Sequence, residues 1–149
     1  MTPIPLKMRR EMAEMPFYKH CARHNDECNG RITWEHALIV AGKRLNEIWA
    51  IVPLCAYHHS VDYHQDGAGL VKELNKWIAL CRSTPEDLAK YPRSGFEQMK
   101  KYLISKYGLW VDPFAPKVPV VEKPVENLGI LWGNRQDSLD AHLLNKVFQ

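Results

Sequence analysis

The sequence predicts an α+β fold, in which a small strand–loop–strand–helix unit is wrapped by several α-helices. Two runs rich in β-branched and aromatic residues, "RITWEHALIV" and "WAIVPL", predict strands joined by the connection "AGKRLNE". After Cys55, the run "AYHHSVDYHQ" has no proline or glycine before Gly67, so a helix can begin there. Beyond Gly67 the apolar residues adopt helical spacing, which completes the mixed pattern.

Helices are predicted on both sides of this unit. "IPLKMRREMAEM" predicts a short amphipathic helix that ends before Pro16. Downstream, one helical face is predicted from five apolar residues: Leu70, Leu74, Trp77, Ile78 and Cys81. "STPEDLAKY" offers a Ser/Thr cap followed by proline. "SGFEQMKKYLISKYG" begins with a Ser-x-x-Glu capping box, carries Phe96, Met99 and Leu103 as an apolar stripe, and ends at a glycine.

The domain organisation follows from a change in composition near Asp112. Residues 1–111 are predicted to form one domain, with a core at 21–64 and a helical wrapping at 68–108. Residues 112–149 are predicted to be a Pro-rich linker and C-terminal tail, because "DPFAPKVPVVEKPVEN" has four prolines in its first thirteen residues. The terminal pattern "DSLDAHLLNKVF" leaves homodimerisation through the tail as an open alternative.

The charge distribution suits a polyanionic partner for the first part of the chain. Residues 1–111 carry sixteen Lys and Arg against twelve Asp and Glu, a net +4, whereas residues 112–149 carry four against five, a net −1. No apolar run approaches the ~20 residues that span a bilayer, and no long apolar segment follows the basic N-terminus. We therefore expect a cytoplasmic protein with no membrane partner, in which cysteines are reduced.

Histidine and cysteine are concentrated between Cys21 and His64. Six of the seven histidines and three of the four cysteines lie in or beside this window. Cys55-x2-His58 has the spacing of a zinc half-site, and Cys21-x6-Cys28 supplies a second pair. These four residues are the first choice for a structural Zn²⁺ site, with His24 as the substitute for Cys28 or Cys21. The alternative is a set of reduced buried cysteines and surface histidines.

His59 cannot easily share an ion with His58, because neighbours on a helix point about 100° apart. His59 is therefore expected to face a second chemical centre, together with Asp62 and His64. The other half of that centre is expected at "WEH", where Glu35 and His36 lie near the end of the first strand.

The order of these motifs resembles the HNH nucleases, whose core is a ββα-metal finger. The resemblance rests on the acid–His pair in "WEH", the strand ending in "PLC" and the "HH" that follows, and it covers about Cys21 to His64, roughly a third of the chain. It is strongest for small HNH proteins of phages and prophages. It implies a zinc-stapled ββα core and a metal-dependent endonuclease that nicks DNA or cuts both strands. The implied partners are DNA and a phage replication, recombination or packaging protein, in the host cytoplasm.

The same resemblance assigns roles to single residues. His36 takes the position of the general base, and an imidazole pKa near ~6.5 allows it to accept a proton at neutral pH. Glu35 and His59 take the positions of ligands to a catalytic Mg²⁺, Mn²⁺ or other divalent ion, and His64 is a further candidate ligand. Lys43 and Arg44, in the loop between the strands, are expected to meet phosphates.

One position departs from the family pattern and keeps other functions open. Ala50 stands where the family has its middle asparagine, and Asn46, four residues earlier, is the candidate to reach in from the loop. The departure favours a catalytically silent zinc module that binds DNA or protein. A nuclease selective for RNA or branched DNA is a second alternative, because such a site grips the backbone and does not read base edges.

Overall fold

An antiparallel hairpin, with four residues in each strand, forms the centre of the fold. Strand β1 (Thr33–His36) pairs with β4 (Ile51–Leu54), and Thr33 lies opposite Leu54 in the register. All four residues of β4 are buried, whereas those of β1 are half-buried. Both predicted strands are therefore present, although the first ends at His36 and does not continue through "ALIV".

The connection between these strands contains a second, smaller hairpin. Strands β2 (Ile39–Val40) and β3 (Lys43–Arg44) pair across the two-residue turn Ala41-Gly42. Both turn residues have positive φ, 49° and 75°, which is the backbone of a type I′ turn. Because this turn reverses the chain direction, the connection that was predicted to be a loop is a short two-stranded hairpin. It presents Lys43 and Arg44 as exposed residues.

The computed structural model of the chain describes residues 3–61 and 68–117. Met1–Pro116 group into one compact unit. The expectations for Asp62, His64 and the tail from residue 118 onward lie outside the described residues. Within the described ranges, no helix is both long enough and apolar enough to cross a membrane.

The described residues form four α-helices around the hairpin, so the mixed α+β class is confirmed. Their bounds are α1 (Leu6–Glu14), α2 (Ala68–Arg82), α3 (Pro85–Ala89) and α4 (Phe96–Tyr107). Short 3-10 turns cover Pro16–Lys19 and Ile48–Ala50. The chain also becomes helical after Cys55, as predicted, but there the described part is a single π-helical turn, Tyr57–Val61.

Capping signals are correct at α3 and wrong at the start of α4. Thr84 and Asp87 form both hydrogen bonds of a capping box around Pro85. The Ser-x-x-Glu box predicted for α4 does not form, because Gly95 occupies the cap position with φ 75°. Ser94 Oγ instead donates to Tyr91 O at 2.6 Å and accepts from the backbone N–H of Phe96 at 3.2 Å.

Helix α2 buries a face that is rotated from the predicted one. Its most buried residues are Val71, Asn75, Ile78, Ala79 and Leu80. By contrast, Leu70 is 43% exposed and Cys81 is only half-buried. The helix packs against β4 on one side and α4 on another. Apolar periodicity locates the helix, but the positions of these two neighbours decide which residues become buried.

Arg82, at the end of α2, joins three parts of the fold. Its guanidinium lies 3.6 Å from the centre of the Phe17 ring. It donates to Ile51 O and to the hydroxyl oxygen of Tyr18, at 3.0 Å each. Burial, which the charge of Arg82 partly offsets, raises the pKa of Tyr18 above its usual value. These contacts attach the N-terminal segment and α2 to the first residue of β4.

Because β1 ends at His36, two neighbouring residues beyond it lie in different environments. Leu38 is 1% exposed and Ile39 is 63% exposed. We expect Leu38→Ala to lower the free energy of unfolding by about 3 kcal/mol, because it leaves a cavity in the core. Ile39→Ala is the matched control, with an expected change below about 0.5 kcal/mol. Denaturant titrations at constant zinc measure both values, and equal losses would contradict this placement.

Candidate metal centre and adjoining polar site

Three cysteines and one histidine converge at one end of the central hairpin. Cys21 and Cys28 come from the segment before β1, Cys55 directly follows β4, and His58 lies on the π-helical turn. Their ligand atoms all lie within 4.8 Å of one another. These are the four residues chosen from the spacing, and together they can hold a metal ion such as zinc.

The distances fit a tetrahedral ion. His58 Nδ1 lies 3.4 Å from Cys21 Sγ, 3.6 Å from Cys28 Sγ and 3.2 Å from Cys55 Sγ. Zinc bonds of about 2.3 Å to sulfur and about 2.0 Å to nitrogen place tetrahedral S and N ligands roughly 3.5 Å apart. The three observed N–S separations are close to this value, so the position of His58 relative to the sulfurs suits zinc.

The electrostatics of the cluster also favour a cation. Burial raises the pKa of the Cys21 thiol to about 12. Burial likewise opposes ionisation of Cys55, but hydrogen bonds from the backbone of His58 and Asn29 outweigh it and lower the pKa of that thiol. Burial, reinforced by the charge of Arg23, lowers the pKa of His58 and keeps its imidazole neutral. Ionising further buried thiols costs free energy, which a divalent ion would offset. The neutral imidazole of His58 keeps a nitrogen lone pair that can bind this ion.

The backbone brings the two ligand-bearing segments close together at Gly30. This residue has φ 84°, and a Cβ on it would lie 2.7 Å from Ala56 Cβ. A side chain at position 30 would therefore separate the Cys28 segment from the Cys55 segment. Next to this contact, the backbone N–H of Tyr57 donates to Asn29 O at 3.2 Å.

His24 lies outside the cluster in this structure. Its exposed ring packs edge-on against Phe114, with ring centres 4.7 Å apart, and Phe114 also stacks on His20 at 4.0 Å. His24, the substitute ligand that the sequence left open, is therefore not among the four converging residues.

A second polar group lies on the exposed side of the π-helical turn. His58 is fully buried, whereas the side chain of His59 is 44% exposed. His59 Nε2 lies 3.0 Å from Glu35 Oε2, and His59 Nδ1 lies 3.3 Å from Thr33 Oγ1. The structure thus brings Glu35 and His59 together, away from the cysteines.

Thr33 orients the His59 ring and was missed in the sequence. Its hydroxyl is 3.3 Å from Leu54 O, a carbonyl that only accepts. When the hydroxyl donates to this carbonyl, Thr33 Oγ1 accepts from His59 Nδ1–H, and the lone pair of Nε2 then faces the Glu35 carboxylate. Two acceptors this close require a proton or a cation between them. Strand alternation could have identified Thr33, because it shares a face with Glu35.

His36, the last residue of β1, contacts Asn46. His36 Nε2 is 2.8 Å from Asn46 Oδ1, and Asn46 Nδ2 is 3.4 Å from Pro3 O. Because Pro3 O only accepts, it fixes which end of the Asn46 amide faces His36. Ala50 is fully buried, and its carbonyl accepts from the backbone N–H of Ala37 at 3.0 Å.

Two cavities meet at His36. The first, of about 620 Å³, is lined by His36, Arg9, Arg31 and Arg44, among others. The second, of about 500 Å³, is lined by residues that include His36, Glu35, Arg44, Lys72, Asn75 and Lys76. Arg44 lines both cavities, and Lys43 is exposed next to it. Arg9 carried no sequence signal, since only folding brings α1 beside β1, and Arg31, two residues before β1, was not singled out in the sequence.

Substitution of the cysteines tests whether the Cys3His cluster binds zinc. We expect the purified chain to carry about one zinc ion, and Cys28→Ser or Cys55→Ser to abolish its retention because a ligand is lost. Cys81→Ser and His24→Ala are the controls, and both are expected to retain zinc. Elemental analysis, with thermal unfolding before and after chelation, measures the outcome. Loss of zinc from either control would contradict the ligand set.

Comparisons of the chain with protein-family models, with curated proteins and with solved structures found no match. The role of these residues is therefore inferred from their own chemistry and geometry.

Proposed function

We propose that this chain is a metal-dependent endonuclease of the HNH type that hydrolyses DNA phosphodiester bonds, with His36 as the general base. One observation carries the proposal. His36 is held by Asn46 where two cavities meet, and these cavities are lined by arginines and lysines on both sides of it. A base surrounded by cations suits an anionic substrate that is attacked by a water, because the cations bind the anion and the base deprotonates the water.

The contact with Asn46 selects the nitrogen of His36 that acts as base. Asn46 Oδ1 is an acceptor, so His36 Nε2 carries the proton and donates to it. The lone pair is then on Nδ1, which is free to take a proton from water. Because Asn46 is itself anchored to Pro3 O, the ring is held in one orientation.

The arginines would bind the substrate backbone. Arg9, Arg31 and Arg44 come from three separate elements and line the cavity beside His36. Their planar guanidinium groups suit phosphate oxygens, which they bind through paired hydrogen bonds. Phosphates flanking the scissile bond would thus be held on one side of the base, and Lys72 and Lys76 would meet them on the other.

Glu35 and His59 are the proposed ligands of a catalytic divalent ion. In an octahedral site with bonds near 2.1 Å, adjacent ligands lie about 3.0 Å apart. The Glu35–His59 separation of 3.0 Å fits this geometry. When bound, the ion would neutralise charge on the scissile phosphate and stabilise the leaving 3′ oxygen. Mg²⁺ is expected because of the carboxylate ligand, and Mn²⁺ because the imidazole also suits a transition ion.

The proposed reaction is an in-line displacement at phosphorus. His36 Nδ1 accepts a proton from water while the water oxygen forms a bond to phosphorus. The bond between phosphorus and the 3′ oxygen breaks, and solvent supplies the proton to that oxygen. The products are a 5′ phosphate and a 3′ hydroxyl. The Cys3His centre would serve only to hold the His59 turn against the end of β4.

A second candidate function is a catalytically silent zinc module that binds DNA or protein. The difference between the Cys3His cluster and the Glu35–His59 site favours this candidate. The Cys3His cluster is complete and largely buried, whereas the described residues bring only one carboxylate and one imidazole into contact at the second site. DNA binding without cleavage would support this candidate.

Cleavage by the His36→Ala variant tests the proposal. We expect wild-type protein to relax supercoiled plasmid with Mg²⁺ or Mn²⁺ and not with EDTA. His36→Ala is expected to reduce the rate by at least ~100-fold, because the general base is lost. The matched control is His20→Ala, an exposed histidine stacked on Phe114, and its rate should be unchanged.

Zinc content is measured on each preparation, so that a lost metal centre is not mistaken for a lost base. A wild-type protein that retains zinc and binds DNA without cutting would replace the nuclease with the silent module. An unchanged rate in His36→Ala would exclude His36 as the base.

Salt dependence tests the arginine cavity separately from catalysis. DNA affinity is measured across a range of salt concentrations in EDTA. We expect Arg9→Ala and Arg31→Ala each to reduce the slope of log affinity against log salt by about 0.9, the value for one lost phosphate contact. Arg10→Ala is the matched control, since Arg10 is the next exposed residue on α1. Equal effects of Arg9→Ala and Arg10→Ala would contradict the assignment.

A further inference from the structure

Asn75 carries a buried oxygen that the protein does not satisfy. It lies on α2, is 5% exposed, and its Oδ1 has no hydrogen-bond partner among the described residues. An unpaired buried acceptor destabilises a fold, so its retention calls for a partner that binds from outside. Because the unpaired atom is an oxygen, that partner is either a hydrogen-bond donor or a cation.

The surroundings of Asn75 favour the cation. Asn75 lines a cavity of about 330 Å³ together with Glu35 and His59, the pair 3.0 Å apart. It also lines the 500 Å³ cavity that contains Glu35 and His36. Residues that carry a carboxylate, an imidazole and an amide, from three separate elements, thus border the same space. Lys72, an exposed residue, lines both cavities as well.

We propose that Asn75 Oδ1 is a third protein ligand of the divalent ion that Glu35 and His59 hold. This inference rests on the proposed function, because it assumes that catalytic ion. Amide oxygens are ordinary ligands of hard divalent cations. Rotation about the last side-chain bond, which is soft in asparagine, repositions the oxygen without moving the helix. Helix α2 would then contribute directly to the site and would not merely pack behind it.

Direct binding of Mn²⁺ to zinc-loaded protein tests the proposal. The free ion is followed by electron paramagnetic resonance, so no cleavage is needed for the readout. Asn75→Leu keeps the number and branching of the side-chain heavy atoms and removes the oxygen. We expect it to weaken Mn²⁺ binding at least ~10-fold, since one ligand is lost. We also expect its unfolding temperature without Mn²⁺ to be unchanged or higher, because an unsatisfied polar atom is removed.

A second variant covers the case in which Asn75→Leu fails to fold. Asn75→Asp replaces the amide oxygen with a charged one and is expected to bind Mn²⁺ more tightly than wild type. Unchanged affinity in Asn75→Asp, or in a folded Asn75→Leu, would overturn the inference.

The Glu35→Ala variant distinguishes failure of the inference about Asn75 from failure of the proposed function. If Glu35→Ala abolishes Mn²⁺ binding while Asn75→Leu does not, Asn75 is not a ligand and the catalytic ion remains. If the zinc-loaded wild type binds no Mn²⁺ at millimolar concentration, the ion and Asn75's role as its ligand are both excluded.

Discussion

The convergence of Cys21, Cys28, Cys55 and His58 is the constraint on which the rest of the structure depends. The central sheet has only four residues in each strand, and the chain before β1 has no regular secondary structure between Lys19 and Thr33. So small a hairpin cannot hold such a segment by apolar burial alone. A shared ion would attach it to the end of β4, and the close contact at Gly30 shows how near the two segments lie.

The same anchor determines what is presented on the outside. The π-helical turn that buries His58 among the cysteines directs His59 towards Glu35. Along β1, Thr33 and Glu35 lie next to His59, whereas His36 contacts Asn46, and Glu35 and His36 line the same cavity. The Cys3His cluster thus fixes the turn that carries His59, whereas Asn46 fixes His36.

The helical layer contributes charge as well as packing. Arg82 binds Ile51 O and the Tyr18 hydroxyl, so the end of α2 is joined to the start of β4. Because α2 is held there, Lys72, Asn75 and Lys76 line the cavity next to Glu35. Helix α1 brings Arg9 to the opposite side of His36, and Asn46 bonds to the segment that precedes this helix. The groups around His36 therefore come from elements far apart in the chain.

The sequence alone determined the local features. Residue spacing identified the Cys3His ligands, because chelation by neighbouring residues imposes short, recognisable intervals. Composition and caps located the two main strands, the helices and the Ser/Thr cap before Pro85, because these depend on residues within a few positions. The tertiary structure decided the rest. The buried face of α2, the cap at Gly95, the exclusion of His24, and the placement of Arg9, Arg31 and Asn75 all depend on which element packs opposite. That choice depends on contacts distant in the sequence, and no local pattern encodes them.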